Sequence, residues 1–146
     1  MAKLKLAHAE TIVDAALAEA RKLQLAPLAV AVLDAGGHVM IFKREDGAGI
    51  LRFDIAYGKA WGALGMGFGT REITERAKTF SAFIDALTTI SHGRAVPSPG
   101  GVLILDEQKE VIGAVGVSGD TGDNDELCAL AGIKAAGFGA APGKIE

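Results

Sequence analysis

From Leu6 to Leu23 the apolar positions Ala9, Ile12, Val13, Ala16, Leu17, Ala20 and Leu23 recur at helical spacing, with Glu10, Asp14, Glu19 and Arg21 on the other side. That period predicts an amphipathic helix. Leu28 to Leu33 then reads as a short strand, Asp34-Ala35-Gly36-Gly37 as a turn, and His38 to Phe42 as a second strand, which together predict a β-hairpin. A polar, glycine-bearing loop follows from Arg44 to Gly49. Leu51 to Met66 carries Phe53, Tyr57, Ala60, Trp61 and Leu64 at helical intervals, although Gly58, Gly62 and Gly65 each weaken a helix by about 1 kcal/mol relative to alanine. Thr70 is placed to cap a short helix reaching Arg76, and a further helix is predicted from Lys78 to Ile90. Gly100 to Leu105 and Val111 to Val117 flank Asp106-Glu107-Gln108-Lys109-Glu110 as a second hairpin. Asp123, Asp125 and Glu126 fill the first turn of a last helix running to about Ala136, where carboxylates favour the positive end of the helix dipole. The expected architecture is therefore one α+β domain over 1–146, with a central antiparallel sheet flanked by helices and an irregular tail over 137–146.

Composition sharpens this picture at the glycines. Twenty glycines and twenty-six alanines stand among 146 residues, against eight aromatic ones. Gly58 and Gly62 lie one turn apart and bare a stripe of helix backbone, open to close approach by another helix or a flat ligand. Gly113, Gly116, Gly119 and Gly122 recur every third residue, but this is neither the dinucleotide fingerprint nor a P-loop. Thinning of a strand and its exit is the expected reason, with anion binding by the amides of Ser118 to Gly122 as the alternative.

A net charge of −3, from 15 basic and 18 acidic residues without a basic stripe, excludes a nucleic-acid groove. The longest apolar run, Leu25 to Leu33, contains Pro27 and is far short of the ~20 residues that cross a bilayer. Met1 to Lys5 is followed by His8, Glu10 and Asp14, with no apolar core of an export signal. Cys128 stands alone, which points to a reducing compartment and hence the cytoplasm. Its acidic neighbours are expected to raise its pKa, and buried packing suits it better than nucleophilic work.

Three histidines, His8, His38 and His92, show no zinc spacing. His92 combines a possible ligand with room and a cation, since His92-Gly93-Arg94 lies near Pro99-Gly100-Gly101; His8 is second, projecting from the first helix toward a subunit contact. Ser118 does not match a nucleophile elbow. Arg44, Lys59, Arg71 and Arg94 are candidate carboxylate anchors, each against a default of solvated surface charge. Lys59 stands out, because between Gly58 and Gly62 with Trp61 nearby it is placed for partial desolvation, where it can pair with an acid or take part in chemistry.

Ile12 to Ala20, Ala31-Val32-Leu33-Asp34-Ala35-Gly36-Gly37, Arg44-Glu45-Asp46-Gly47-Ala48, Ala56 to Ala60, Pro99-Gly100-Gly101-Val102, and Val111 to Gly119 followed by Asp125 together resemble the GlcG/HbpS family and the C-terminal domain of PduO-type proteins. The resemblance spans nearly the whole chain. It implies a profilin-like layered α+β fold that assembles as a homodimer or higher oligomer, and in several relatives a bound haem, used in haem degradation or redox sensing. On that reading His92 or His8 meets the iron, and arginine or lysine meets the propionates. Other relatives stand among genes for catabolism of small acids and diols. That implies an enzyme acting on a small carboxylate or carbonyl compound, with Arg44 and Lys59 gripping the acid and Asp125 or Lys59 moving protons beside Gly100, Gly101, Ser118 and Gly119. The chain departs from the family pattern at Leu103, where many members have proline, and at Ser98-Pro99, where a further glycine is usual; both changes are expected to reshape the loop pocket.

Overall fold

A computed structural model describes residues 3–146; Met1 and Ala2, which open the N-terminal stretch read for an export signal, lie outside the described residues. The order of elements is α1 (Leu6–Lys22), β1 (Ala29–Asp34), β2 (Val39–Arg44), α2 (Arg52–Met66), α3 (Thr70–Thr79), α4 (Ser81–Ile90), β3 (Gly101–Leu105), β4 (Val111–Ser118), α5 (Gly122–Ala135) and β5 (Gly139–Ala141). The strands form one sheet in the order β2-β1-β4-β3-β5, antiparallel at every pairing. It is an α+β fold with helices on both faces of the sheet, as expected.

Covering both faces explains why β1, β3 and β4 read as almost unbroken apolar runs instead of alternating ones. Val30, Val32, Val102, Ile104, Val115 and Val117 point to one side and pack with Ile12, Val13, Ala16, Cys128, Ala129 and Ile133 of α1 and α5. Leu33, Leu103 and Ala114 point to the other and meet Ala60 and Ala63 of α2. Small residues dominate this second face. A side chain on Gly116 would run into the Ala56 carbonyl oxygen, and one on Gly101 into that of Lys59, so α2 rides directly on the sheet backbone. On the first face Gly132 of α5 gives the same close approach to Ile12 of α1.

Several expectations change. The tail is not irregular throughout, since β5 pairs with β3 through Leu103 to Ala141 and Leu105 to Gly139. Gly69, not Thr70, is the N-cap of α3; Thr70 Oγ1 instead accepts the Gly101 N–H at 2.8 Å and ties α3 to the sheet. The glycine stripe of α2 faces neither a helix nor a ligand. A side chain on Gly58 would meet Val96 and the Gly93 carbonyl, and one on Gly62 the Arg94 carbonyl at 2.9 Å, so the chain's own 93–96 loop fills it.

Candidate functional site

The helical turn that seats Ala56, Ala60 and Ala63 on the sheet also turns Lys59 inward beneath the ends of β3 and β4. Its Nζ donates to the Val117 carbonyl at 2.9 Å and to Asp125 Oδ2 at 3.1 Å. Lys59 is 2% exposed and Asp125 1%. Asp125 comes from the first turn of α5, where its Oδ1 accepts the Asp120 N–H at 3.0 Å. Gly100, at φ +123°, closes the site, because a side chain there would lie 2.8 Å from the Val117 oxygen and 2.9 Å from Lys59 Nζ. Burial pushes the Lys59 pKa down and that of Asp125 up, and each charge partly reverses the other's shift; Arg52 nearby adds to the downward push on Lys59.

Lys59, Asp125, Gly100 and Gly101 therefore converge, and Ser118 lies at the same end of β4. Ser118 Oγ accepts from Arg52 Nη1 at 3.0 Å. Arg52 carries no sequence signal beyond its charge, and only the seating of α2 brings it to Ser118. Ala29 pairs with both Arg44 and Ser118, which sets those two in one cross-strand row. Arg44 itself is exposed on the edge strand β2 and donates to the Ala48 carbonyl at 2.6 Å. Gly119, at φ +148°, is pressed against Leu28 and completes the turn.

The amides after Ser118 serve the chain itself. The Asp120 N–H goes to Asp125, the Thr121 N–H to Asp120 Oδ2 at 2.9 Å, and the Asn124 N–H to Thr121 Oγ1 at 3.2 Å, so at these amides internal oxygens stand where the alternative reading put an anion. The Asn124 side chain, then the Ala26 and Thr121 amides, hold the Asp120 carboxyl below its ordinary value. Ser98 and Pro99 lie against Gly122, so the residues that depart from the family pattern pack the loop onto the start of α5.

Arg94 belongs elsewhere. Its Nε donates to the Ser91 carbonyl at 2.8 Å and its guanidinium lies 4.1 Å from the Trp61 ring centroid. Arg71 is paired with Asp123 at 2.6 Å and Glu126 at 2.9 Å, linking α3 to α5.

The three histidines are held in different ways. His8 Nδ1 accepts the Lys5 backbone N–H at 3.1 Å, and its ring meets Phe138 edge-on at 4.9 Å. His92 is exposed in the loop after α4, at φ 57°, and its ring has no hydrogen-bond partner among the described residues. His8 sits on α1, across the sheet from the loop that carries His92, so within one chain the two do not share a ligand. His38 Nδ1 lies 3.1 and 3.3 Å from the two carboxylate oxygens of Asp34. Burial pushes Asp34 up, but hydrogen bonds from the His38 backbone, the His38 ring and the Gly36 amide bring it below its ordinary value. Among the described residues no three His, Cys, Asp or Glu side chains group to hold a metal ion.

Cys128 is fully buried between α5 and the sheet, and burial, then the Asp125 charge, pushes its thiol up to about 12. We expect a thiol reagent at pH 8 to leave the folded protein unlabelled and to add one equivalent in denaturant, as read by mass spectrometry; labelling of the native protein would contradict the burial.

A model of the HbpS-like family, described as haem degrading protein HbpS-like, matches residues 4–134. A protein of Citrobacter freundii, described as an uncharacterized 15.0 kDa protein in the dhaT-dhaS intergenic region, is 35% identical over 129 residues, covering 88% of this chain and 89% of its own. Among solved structures, PduOC in complex with heme superposes with a TM-score of 0.85 at 27% identity, over 94% of this chain and 97% of that one. Protein ORFY of Klebsiella pneumoniae gives 0.83 at 30% identity, over 93% and 92% of the two chains. A double mutant of HbpS from Streptomyces reticuli gives 0.79 at 29%, over 94% and 89%. With α1 to α4, strands β1 to β4 and nearly all of α5 inside the matched span, the chain belongs to the HbpS-like family.

Proposed function

We propose that this protein binds haem and takes part in haem handling, as a homo-oligomer in the cytoplasm. The observation that carries the reading is the likeness, over almost the full length of both chains, to a structure solved with heme bound. The donor set supports it. Iron within a porphyrin brings four nitrogens with it and asks for as little as one axial side chain. That suits a chain in which single histidines stand apart and no ligand cluster forms among the described residues. Bound haem would supply a redox-active iron; the protein's part is to present a donor atom, an apolar bed and a cation for the propionates.

Self-association is supported by apolar side chains left at the surface, among them Ile50 before α2 and Phe80, Phe83 and Ile90 on and beside α4, which are 91%, 60%, 58% and 73% exposed. The buried lone thiol of Cys128 supports a reducing compartment. For the enzymatic alternative, the convergence of Lys59 and Asp125 is the supporting feature. Their near-complete burial favours a structural role for the pair, since a substrate reaches neither group without an opening of the fold.

Titration of the purified chain with hemin is expected to give a Soret band that saturates at one haem per chain, with quenching of the fluorescence of its one tryptophan, Trp61. A linear, unsaturated rise in absorbance, equal to that of hemin with a non-binding protein, overturns the proposal.

A further inference from the structure

We infer that His38 is the axial ligand through which this chain takes haem iron, with Asp34 as the residue that positions it; the inference rests on the haem reading above. Tautomers distinguish the three histidines. A neutral imidazole has one N–H and one lone pair, and its partner decides which nitrogen carries which. A carboxylate has no proton to give, so the contact from Asp34 places the hydrogen of His38 on Nδ1 and leaves the lone pair on Nε2. A backbone amide can only donate, so the contact from Lys5 does the reverse in His8 and leaves the hydrogen on Nε2. His8 would have to give up its place at the start of α1, or lose a further proton, before Nε2 could bind iron. His92 has no partner among the described residues to orient it. Only His38 presents a free ring lone pair held in place by a second residue, the arrangement by which carboxylates orient metal-bound histidines and raise their basicity.

The surroundings fit the same role. Asp34 Oδ1 also accepts the Gly36 and His38 backbone amides, at 2.9 and 3.0 Å, so the turn and the ring are locked by one oxygen. Behind the turn, a side chain on Gly37 would lie 3.2 Å from the Trp61 indole, so this turn is backed by α2. The His38 side chain is 80% exposed, which leaves Nε2 open to a ligand. It borders a groove of about 380 Å³ whose other walls include the apolar Leu4, Ala35, Val111 and Ile112 and the cation Lys3. A flat apolar ring with two carboxylates matches that lining, with Lys3 placed for a propionate.

Two measurements test this. In the haem-free protein, long-range nitrogen NMR of the rings is expected to show the Nδ1–H tautomer for His38 and the Nε2–H tautomer for His8; the opposite assignment for His38 overturns the role of Asp34. In hemin titrations, His38→Ala is expected to lose the imidazole-type Soret and electron-paramagnetic-resonance signature and at least tenfold in affinity. His8→Ala and His92→Ala should keep both. Free imidazole should restore the spectrum of His38→Ala, which separates a lost ligand from a misfolded chain. Asp34→Asn is expected to bind haem and to raise its reduction potential, because a neutral partner makes the imidazole a weaker donor. If the wild-type chain takes up no haem, the functional reading falls and this inference falls with it. If wild type binds haem and His38→Ala is spectroscopically identical to it, the functional reading stands and the assignment of His38 is wrong.

Discussion

Replacing Lys59 with methionine is expected to cost about 3–5 kcal/mol of stability, measured as a shift of the urea unfolding curve at neutral pH. The substitution removes the one opposite charge in contact with Asp125 among the described residues and leaves that carboxylate buried at the junction of α2, β4 and α5. Asp125→Leu in the same background should recover most of the loss, since an apolar pair of similar volume escapes the desolvation of both ions. The pH dependence has a fixed sign. Burial already raises the Asp125 pKa above its ordinary 3.8, and Lys59 opposes that rise. Without Lys59 the folded state holds a proton in the window between 3.8 and the raised value, whereas the unfolded chain releases it. Because the wild-type value is itself raised, the deficit of Lys59→Met should shrink as the pH falls from the variant's Asp125 pKa to the lower wild-type one, and hold level below it. A deficit below ~1 kcal/mol at neutral pH would mean that the pair is no structural lock, and a substrate-handling role for Lys59 would regain its ground.

Gly116→Ala is expected to destabilise by about 3 kcal/mol or more, at or beyond the upper end of ordinary overpacking. The reason lies in what the added methyl meets. Its neighbours are the Ala56 carbonyl and, at 2.9 Å, the Ala60 nitrogen, both backbone atoms of α2 that no rotamer change can move aside. The helix has to retreat from the sheet, which also draws Lys59 away from Val117 and Asp125. Gly65→Ala serves as the control on the same helix. There the nearest atom, in the Trp61 ring, is 3.6 Å from the new methyl, an ordinary contact, and alanine improves helix propensity by up to ~1 kcal/mol. Thermal unfolding followed by circular dichroism should show a large fall in Tm for the first variant and none for the second; equal effects would refute close seating of α2.

The elements with a clear period are legible in the sequence. The apolar repeat from Ala9 to Ala20 marks α1, and the runs Ala29 to Leu33 and Gly101 to Leu105 mark strands, because a sheet covered on both faces needs apolar residues at consecutive positions. The glycine excess points to close approach, yet not to what approaches. Gly116 and Gly101 admit a helix, while Gly58 and Gly62 admit a loop, and the choice depends on tertiary packing that no local spacing encodes. β5 escapes a sequence reading because Gly139-Ala140-Ala141 carries neither alternation nor β-branching; it is a strand only because β3 offers an edge. The break at Phe80 has no proline or glycine to announce it, so α4 begins three residues later than its pattern implies. Lys59 and Asp125 are each visible as candidates, but 66 positions separate them and their contact is a product of topology. The roles of His8 and His38 are out of reach for a different reason: a tautomer is set by the partner in space, not by the residue's own identity.

The order in which the chain can assemble follows from the placement of β1 and α1. β1 lies between β2, its neighbour in sequence, and β4, which begins at Val111, and α1 finds its helical partner in α5, which begins at Gly122. A chain emerging from the ribosome can close the β1–β2 hairpin early, but the inner face of α1 and one edge of β1 stay uncovered until most of the polypeptide is available. Closing so long a loop is slow, although its entropic penalty grows only logarithmically with length. During synthesis, then, the apolar surface left open longest is that of α1 and β1, waiting for partners made later.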